Sequence, residues 1–272
     1  MTSKGLRIPL LFATISLASA VSAPLALKFT PGETLKYYST ISATETASFK
    51  GETFAVKVSG SNTMVVKVSS VSGGTAKLAI SYTGAAANAT ATSLPTAAKK
   101  DRAKIEAAAE KSLKASLTGG QRTQTVRPNG SSTYTLPVTD GQKLTIEDGA
   151  FMMLVLPKTT PQLNVPWTET IRLPIPGASN SIKIKYKLVG NAIFNGKSVK
   201  KIVFSSSNSG SKTQQGITGK VATSVSGFML LDPTAGKLVQ GEVDRSVKTT
   251  LTHPKEGTRT SEETSVQKFK KV

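Results

Sequence analysis

The stretch "TFAVKVSGSNTMVVKVSSVSGGTAKLAISY", residues 53–82, decides the fold because apolar side chains recur in it at every second position. The segments "TFAVKVS", "TMVVKVS" and "AKLAISY" each place apolar side chains on one side and a lysine on the other. Such alternation is typical of antiparallel strands with one buried face. Gly, Ser and Asn at 60–62 and Ser and Gly at 72–74 favour turns. The stretch therefore predicts a three-stranded meander with turns at 60–62 and 72–74.

Alternation continues through most of the chain. The residues "LALKFTPGETLKYYSTIS" predict one or two strands before the meander, broken at Pro31-Gly32. Asn195-Gly196 between alternating segments predicts a two-residue hairpin, and "DPTAGK" predicts a proline-initiated turn between two long strands. Further strands are predicted at 122–127, 131–137, 143–147, 150–156, 167–173, 181–194, 197–206, 216–232, 237–252 and 259–270.

One segment has a different period. From 97 to 117 the chain is rich in Ala and Lys, with Ile105, Ala109, Leu113 and Leu117 at four-residue spacing. This pattern predicts a helix that lies over one end or edge of the sheet, since its apolar stripe is narrow. A membrane-surface helix is disfavoured because the segment lacks large aromatic side chains.

The strand lengths indicate the overall architecture. If the strand at 237–252 were straight, it would extend about 50 Å, which is longer than most sheets tolerate. The predicted fold class is therefore mainly β, with long curved antiparallel sheets in a half-barrel or wide sandwich and one Ala/Lys-rich helix near 97–117.

The N-terminus predicts export. Lys4 and Arg7 precede a mostly apolar segment, and small residues then offer cleavage after Ala20 or Ala23, which is the layout of a signal peptide over 1–23. The predicted product is periplasmic or extracellular and soluble after cleavage, without a transmembrane span.

The mature chain is predicted to have two halves. The proline-rich "PKTTPQLNVP", residues 157–166, is predicted to link an N-terminal β half with one helix, 24–156, to a C-terminal β half, 167–272.

Composition narrows the partners. The chain has no cysteine, which excludes disulfides and thiolate metal sites, and it carries 35 basic and 16 acidic side chains. This excess predicts attraction to an anionic envelope polymer or a lipid. Nucleic acid is disfavoured because aromatic residues make up only 6% of the chain and are not interleaved with Arg.

No residue pattern indicates catalysis. The single histidine, His253, follows a long strand with no carboxylate at a suitable spacing, and it is interpreted as a loop residue. The Ser-x-x-Lys matches are as frequent as chance predicts, and none opens a helix. We therefore predict no enzyme activity, no catalytic or metal-binding residue and no cofactor, and we leave the binding residues unassigned.

Three features allow more than one interpretation. Arg245 lies on the apolar side of its predicted strand. One interpretation is that it lines a cavity and holds an anion. The alternatives are that its guanidinium snorkels to the rim of the sheet, or that a bulge near Gly241 moves it to the other face. Trp167 is a ligand platform or a core anchor. The lysines of "SIKIKYKLVG", residues 181–190, are interpreted as the solvated face of a strand, in a hairpin register that places Lys187 opposite Phe204.

The order of motifs resembles a family of uncharacterised bacterial exported proteins of the cell envelope. The matching segments are "LKFTPGETLKYYSTIS", "GGQRTQTVRPNG", "WTETIRLPIPG" followed by "YKLVGNAIFNGKSVKKI", and "LDPTAGKLV". The resemblance covers most of the mature chain and implies an envelope-associated antiparallel β protein. It carries over no catalytic or binding residues.

Three functions compete, and for the third, a hydrolase, no catalytic constellation is visible in the sequence. The first is a non-enzymatic binding or scaffold module with affinity for anionic surfaces. The alternative is a carrier that holds an apolar or lipid ligand in the concave face of a curved sheet. Its lining would include Phe151, Met152, Met153 and residues 228–231, because methionine-rich linings suit adaptable binding.

Overall fold

The computed structural model describes residues 24–119, 121–137, 143–172, 181–214 and 217–272. The predicted signal peptide lies outside the described residues. Within these ranges the elements are β1 Thr34–Phe49, β2 Glu52–Ser72, β3 Thr75–Ser93, a 3-10 turn Thr96–Asp101, α1 Arg102–Thr118, β4 Arg122–Val126, β5 Ser131–Pro137, β6 Lys143–Ala150, β7 Pro166–Arg172, β8 Ser181–Phe194, β9 Lys197–Gln214, β10 Ile217–Asp232, β11 Lys237–His253 and β12 Gly257–Lys271.

All twelve strands belong to one antiparallel sheet in the order β6-β5-β4-β3-β2-β1-β12-β11-β10-β9-β8-β7. The chain meanders outward from β1 to β6, crosses to the opposite edge at β7, and meanders back until β12 pairs with β1. The prediction of a mainly β fold is confirmed, in the form of a single nearly closed sheet with one helical segment. Strands from both predicted halves share this sheet, and the division into halves stays a prediction.

The strands bury one face, and they bury it mainly at one end. Leu35 and Tyr37 at the start of β1 pack with Leu231 at the end of β10 and Phe204 near the start of β9. We call this the core end, and we call the side of the sheet that carries these residues the inner face. The opposite end, where β1 meets β2 at Lys50-Gly51, is called the open end.

Two irregular segments close the core end, namely 25–29 and 150–156. The prediction of a strand at 150–156 is wrong in its type, although the segment is apolar and buried. Its backbone bonds to a turn instead of a neighbouring strand, since the Phe151 N–H donates to the Gly130 carbonyl at 2.8 Å. Leu154 is fully buried inside the sheet.

The predicted turn at 60–62 does not form, because β2 runs without reversal through it. A Cβ added at Gly60 would lie 2.5 Å from Leu117 Cδ1, so the missing side chain lets α1 approach the strand. The Asn62 side-chain amide donates to the Leu117 carbonyl at 2.7 Å. The turn-forming residue types here serve helix docking, whereas the predicted turn at Gly73-Gly74 is confirmed, with positive φ at both glycines.

The helix α1 lies on the inner face over β2 and β3 near the open end. Ile105 and Ala109 pack against Val56 and Ala91. The Glu106 carboxylate accepts a hydrogen bond from the Ala91 N–H at 2.9 Å, which ties the first turns of α1 to β3. The predicted helix over one end of the sheet is confirmed.

The two strongly specified turns of the second half form as predicted. Asn195 and Gly196 have φ of 47° and 75°, as a type I′ hairpin requires. In the turn "DPTAGK", residues 232–237, the Asp232 carboxylate accepts hydrogen bonds from the N–H groups of Thr234 and Ala235, both at 2.9 Å.

The hairpin register changes at a bulge between Leu188 and Gly190. Beyond the bulge Tyr186, not Lys187, pairs with Phe204, so the predicted pairing is wrong by one residue. The interpretation of the lysines is confirmed, because Lys183 and Lys185 are exposed on the outer face.

Candidate functional site

A cavity of about 160 Å³ lies on the inner face where the packed core gives way to the open end. We call it the inner cavity. It combines aromatic and sulfur-containing walls with one guanidinium and three neutral polar side chains. Its lining residues are Tyr37, Ser39, Asn62, Met64, Tyr82, Arg122, Met152, Met153, Val243, Gln267 and Phe269.

Arg122 is the charged group of the inner cavity. It begins β4, and its guanidinium carbon lies 5.8 Å from the ring centroid of Tyr82 and 5.6 Å from that of Tyr134. Its Nε is buried and has no hydrogen-bond partner among the described residues. Among the described residues, no carboxylate oxygen lies within 4.0 Å of this guanidinium. A donor removed from water without a partner costs free energy, which a bound anion would recover.

The two methionines of the cavity have an unusual backbone. Met152 and Met153 have φ of 49° and 65°, in the left-handed region that costs free energy for residues other than glycine. The Tyr186 hydroxyl donates to the Met153 carbonyl at 2.9 Å and fixes this conformation from the core side. The strain is maintained by the packing below, and it presents both flexible thioether side chains to the cavity.

Neutral polar groups form the opposite wall. Ser39 and Asn62 are buried, and the Gln267 side-chain amide donates to the Ser39 hydroxyl at 3.2 Å. The Asn62 side-chain amide donates to the Leu117 carbonyl, so its NH₂ group is already partly used. The cavity therefore offers one cation and neutral hydrogen-bonding groups beside an apolar surface.

Burial controls the protonation of the tyrosines around the cavity. Desolvation raises the pKa of Tyr134 above its usual value, while hydrogen bonds and the charge of Arg122 oppose the rise. Desolvation also raises the pKa values of Tyr37 and Tyr186. These phenols stay neutral at physiological pH, so the positive charge of Arg122 is not cancelled by them.

From the inner cavity the inner face continues to the open end as a shallow trough. Val243, Val247 and Leu251 lie on β11 along this line, which is about 26 Å long at the usual rise per residue. On β1 the register places Ile41 and Ala47 on the same side. Along the trough, β1 and β11 therefore carry several apolar side chains beside the charged Glu45 and Arg245.

Arg245 lies in this trough. The Arg245 guanidinium is 45% exposed and forms an ion pair with the Glu263 carboxylate at 3.1 Å. Glu45 on β1 is the cross-strand partner of Glu263. The bulge of β11 lies near Leu238, before Gly241, and leaves Arg245 on the inner face. An anion would have to displace Glu263 here, which makes Arg122 the better anion site.

The trough ends in a groove of about 500 Å³ at the open end, which we call the rim groove. Phe49, Ile217 and Leu251 line it together with Phe54 and Pro95. The first three are between 38% and 45% exposed, which is unusual for side chains of this size.

Two further residues singled out in the sequence, Trp167 and His253, have structural contacts. Trp167 is a packing anchor: its ring stacks on Tyr186 at 5.5 Å and its Nε1 donates to the Val155 carbonyl at 2.9 Å. The His253 Nδ1 accepts hydrogen bonds from two backbone N–H groups of the following turn. Both observations favour the structural interpretation of these residues.

The predicted carrier lining is only partly assembled. Met152 and Met153 line the inner cavity, but Phe151 is fully packed in the core. Phe228 and Leu230 belong to a small cluster on the outer face, while Met229 lies in the core. Alternation along β10 separates residues that are adjacent in sequence, so the 228–231 segment forms no continuous lining.

Sequence reasoning missed Arg122. It lies in "QRTQT", a polar strand without apolar alternation, and nothing in that pattern marks an arginine that faces inward. The only signal in the sequence is the scarcity of arginine. Only seven of the 35 basic residues are arginines, so each arginine is a candidate for a specific role.

Two general properties concern the described residues. Among them, no group of three or more His, Cys, Asp or Glu side chains is arranged to hold a metal ion. In the same ranges, no helix is long and apolar enough to cross a membrane.

Comparison with known proteins gives no family. No family model and no curated protein matches the chain. Membership of the exported family that the motifs resemble therefore stays a prediction, although the antiparallel β fold that it implies is observed.

Solved structures give distant likenesses. A structure titled "Lipid-protein interactions in lipovitellin" is 10% identical over 90% of this chain, with a TM-score of 0.43, and this chain covers 25% of that one. A DUF1329 family protein from Desulfovibrio piger is 10% identical over 85% of this chain and 83% of its own, with a TM-score of 0.23. The beta domain of the Bordetella autotransporter BrkA is 12% identical over 86% and 98%, also at 0.23. Similarities this distant carry no argument about function.

Proposed function

We propose that the protein binds an amphipathic anion, such as a fatty acid or an anionic lipid, on the inner face of its sheet. The observation that carries this proposal is Arg122, whose buried Nε has no hydrogen-bond partner in the part of the chain that the structure describes. A carboxylate or phosphate would supply the missing acceptors through charge-assisted hydrogen bonds.

The surroundings of Arg122 select an amphipathic ligand over a small inorganic anion. Met152 and Met153 offer an adaptable apolar wall next to the guanidinium. The inner cavity, at about 160 Å³, has room for a head group and a few carbons only. The apolar part of a longer ligand would lie in the trough, against Val243 and Val247.

Titration with palmitate by calorimetry tests the proposal. Wild-type protein should bind it, and Arg122→Met should bind at least about tenfold more weakly, since a charge-assisted hydrogen bond contributes about 1.5–3 kcal/mol. The matched control is Arg127→Met, which removes an exposed arginine directly after the end of the same short strand. Equal affinity in wild type and Arg122→Met would contradict the proposal.

A second candidate is the scaffold with affinity for anionic envelope polymers. It is favoured by the outer face, where Lys57, Lys67 and Lys77 are exposed with Lys183 and Lys185. Retention on an anionic polysaccharide column that falls with salt, and falls further when Lys67 and Lys77 are changed to Gln, would support it. Retention unchanged by salt would contradict it.

Neither candidate involves catalysis, and the assignment as a non-enzyme is part of this proposal. Export to the periplasm or beyond belongs to it as well, because an envelope location would bring the protein into contact with lipids and anionic polymers.

A further inference from the structure

The open end carries exposed apolar side chains that belong to one surface. Phe49 on β1 and Leu251 on β11 are separated only by Arg259 on β12, which is about 10 Å at the usual strand spacing. Ile217 joins them in the rim groove, and Val221 lies four residues further along β10 on the same face. All four are between 38% and 45% exposed.

A basic rim surrounds this apolar surface. Lys50 and Lys255 occupy the two turns next to the groove, and Lys99 and Lys100 begin the helical segment beside Pro95. All four lysines are exposed. With Arg259 they outnumber the acidic side chains of the same turns, Glu52, Asp101 and Glu256.

We propose that the open end docks on an anionic bilayer, with Phe49, Ile217, Val221 and Leu251 in the interface and the lysines at the head groups. Apolar side chains flanked by Lys and Arg are the combination that binds such surfaces. A second copy of the chain is disfavoured as the occupant because a symmetric contact would bring two basic rims together. A soluble polyanion would use the lysines but leave the apolar side chains without a role.

The orientation that follows places the trough over the bilayer. The rim groove opens into the trough, and the trough leads to the inner cavity, so a lipid leaving the bilayer would meet a continuous inner face. This docking does not rest on the proposed ligand site, because Arg122 lies in the inner cavity and not at the rim.

Co-sedimentation with vesicles of phosphatidylcholine and phosphatidylglycerol tests the proposal. The Phe49→Ser/Ile217→Ser/Leu251→Ser variant should bind about tenfold or more weakly than wild type, and Lys50→Gln/Lys255→Gln should bind about tenfold more weakly at low salt. The control is Ile193→Ser, which removes an exposed apolar side chain at the core end, where Ile193 is 73% exposed. It should leave binding unchanged.

A positive readout separates insertion from adsorption. In a Trp167→Phe background, a tryptophan placed by Phe49→Trp should be quenched by brominated lipid, and one placed by Ile193→Trp should not. Equal quenching at both ends, no quenching at either, or loss of binding in Ile193→Ser equal to that of the triple variant would overturn the proposal.

A wild-type dimer that the triple variant converts to a monomer would assign the surface to a second copy instead. Lys50→Gln/Lys255→Gln should keep the palmitate affinity of the wild type, so failure of docking and failure of the ligand site are told apart.

Discussion

The two ends of the same strands differ in how their side chains are used. At the core end of β1, Leu35 and Tyr37 alternate with exposed neighbours, while beyond Ile41 no residue of the strand is buried. The backbone ladder is continuous through both ends. A long antiparallel sheet can therefore be held by apolar packing at one end and leave the other end available for binding.

The difference follows from composition along the strands. The core end is built from Val, Leu, Ile and aromatic residues, whereas the open half of β9 reads "SSSNSGSK". Serine and threonine satisfy the strand geometry without contributing a packed core. The helix α1 covers β2 and β3 at the open end, and the trough over β1, β12, β11 and β10 stays uncovered.

Among single substitutions, we expect one at Tyr186 to lower the free energy of unfolding most. Its side chain is fully buried, stacks on Trp167 and donates to the Met153 carbonyl. Tyr186→Ala should lower the free energy of unfolding by about 3–5 kcal/mol in urea titrations. Val221→Ala, at the open end, should change it by less than about 0.5 kcal/mol. Similar losses at both positions would show that the core is not confined to one end.

The second effect concerns the ion pair that anchors the N-terminal segment. The Lys237 ammonium is 9% exposed and contacts the Glu33 carboxylate and the Phe29 ring. Lys237→Met should cost about 2–3 kcal/mol of unfolding free energy, less than for a fully buried pair because Glu33 is 24% exposed. Lys268→Met breaks a more exposed pair with Glu242 and should cost less than about 1 kcal/mol. Equal costs would contradict the anchoring role.

The third effect tests why β2 does not turn at 60–62. Gly60→Ala should destabilise by about 1–2 kcal/mol, because the new Cβ meets the Leu117 side chain and the Ala86 carbonyl. The control is Gly210→Ala, because a Cβ at this position would meet nothing within 4 Å. This substitution should leave the stability unchanged or raise it slightly. Thermal unfolding of both variants measures the difference, and a neutral Gly60→Ala would refute helix docking through this glycine.

The last effect is the dependence of stability on alkaline pH, which is absent at neutral pH. Burial raises the pKa values of the Tyr37 and Tyr186 phenols above 10.0, so both stay protonated in the folded state while the unfolded state loses protons. Stability should therefore fall as pH rises above about 10, by about 1.4 kcal/mol per pH unit for each buried tyrosine. Tyr186→Phe should reduce this slope. A slope equal in wild type and Tyr186→Phe would contradict this account.

Sequence reasoning predicted the elements whose local signals agree with their environment. Asn195-Gly196 forms its turn and β8 spans the predicted residues 181–194, because turn chemistry and alternation both act locally. The register of that hairpin was missed by one residue, since the bulge at Leu188 depends on how Tyr186 and Phe204 pack inside the sheet.

The wrong predictions concern residues whose tertiary contacts give them a role that their type does not indicate locally. Gly60 and Asn62 have the composition of a turn, but their contacts with Leu117 are visible only once α1 is placed on β2. The 150–156 segment is apolar enough for a strand, yet its hydrogen bonds go to the turn at 129–130. Arg122 was missed for the same reason, because its importance comes from the rings that surround it.

The central claim is that the inner face holds an amphipathic anion at Arg122, and native mass spectrometry of protein purified without detergent tests it most directly. We expect a bound species with an acidic head group and an apolar chain on wild-type protein and on Arg127→Met. We expect this species to be largely lost from Arg122→Met. Wild-type protein without any bound species, or the same species retained at the same level by Arg122→Met, would contradict the claim.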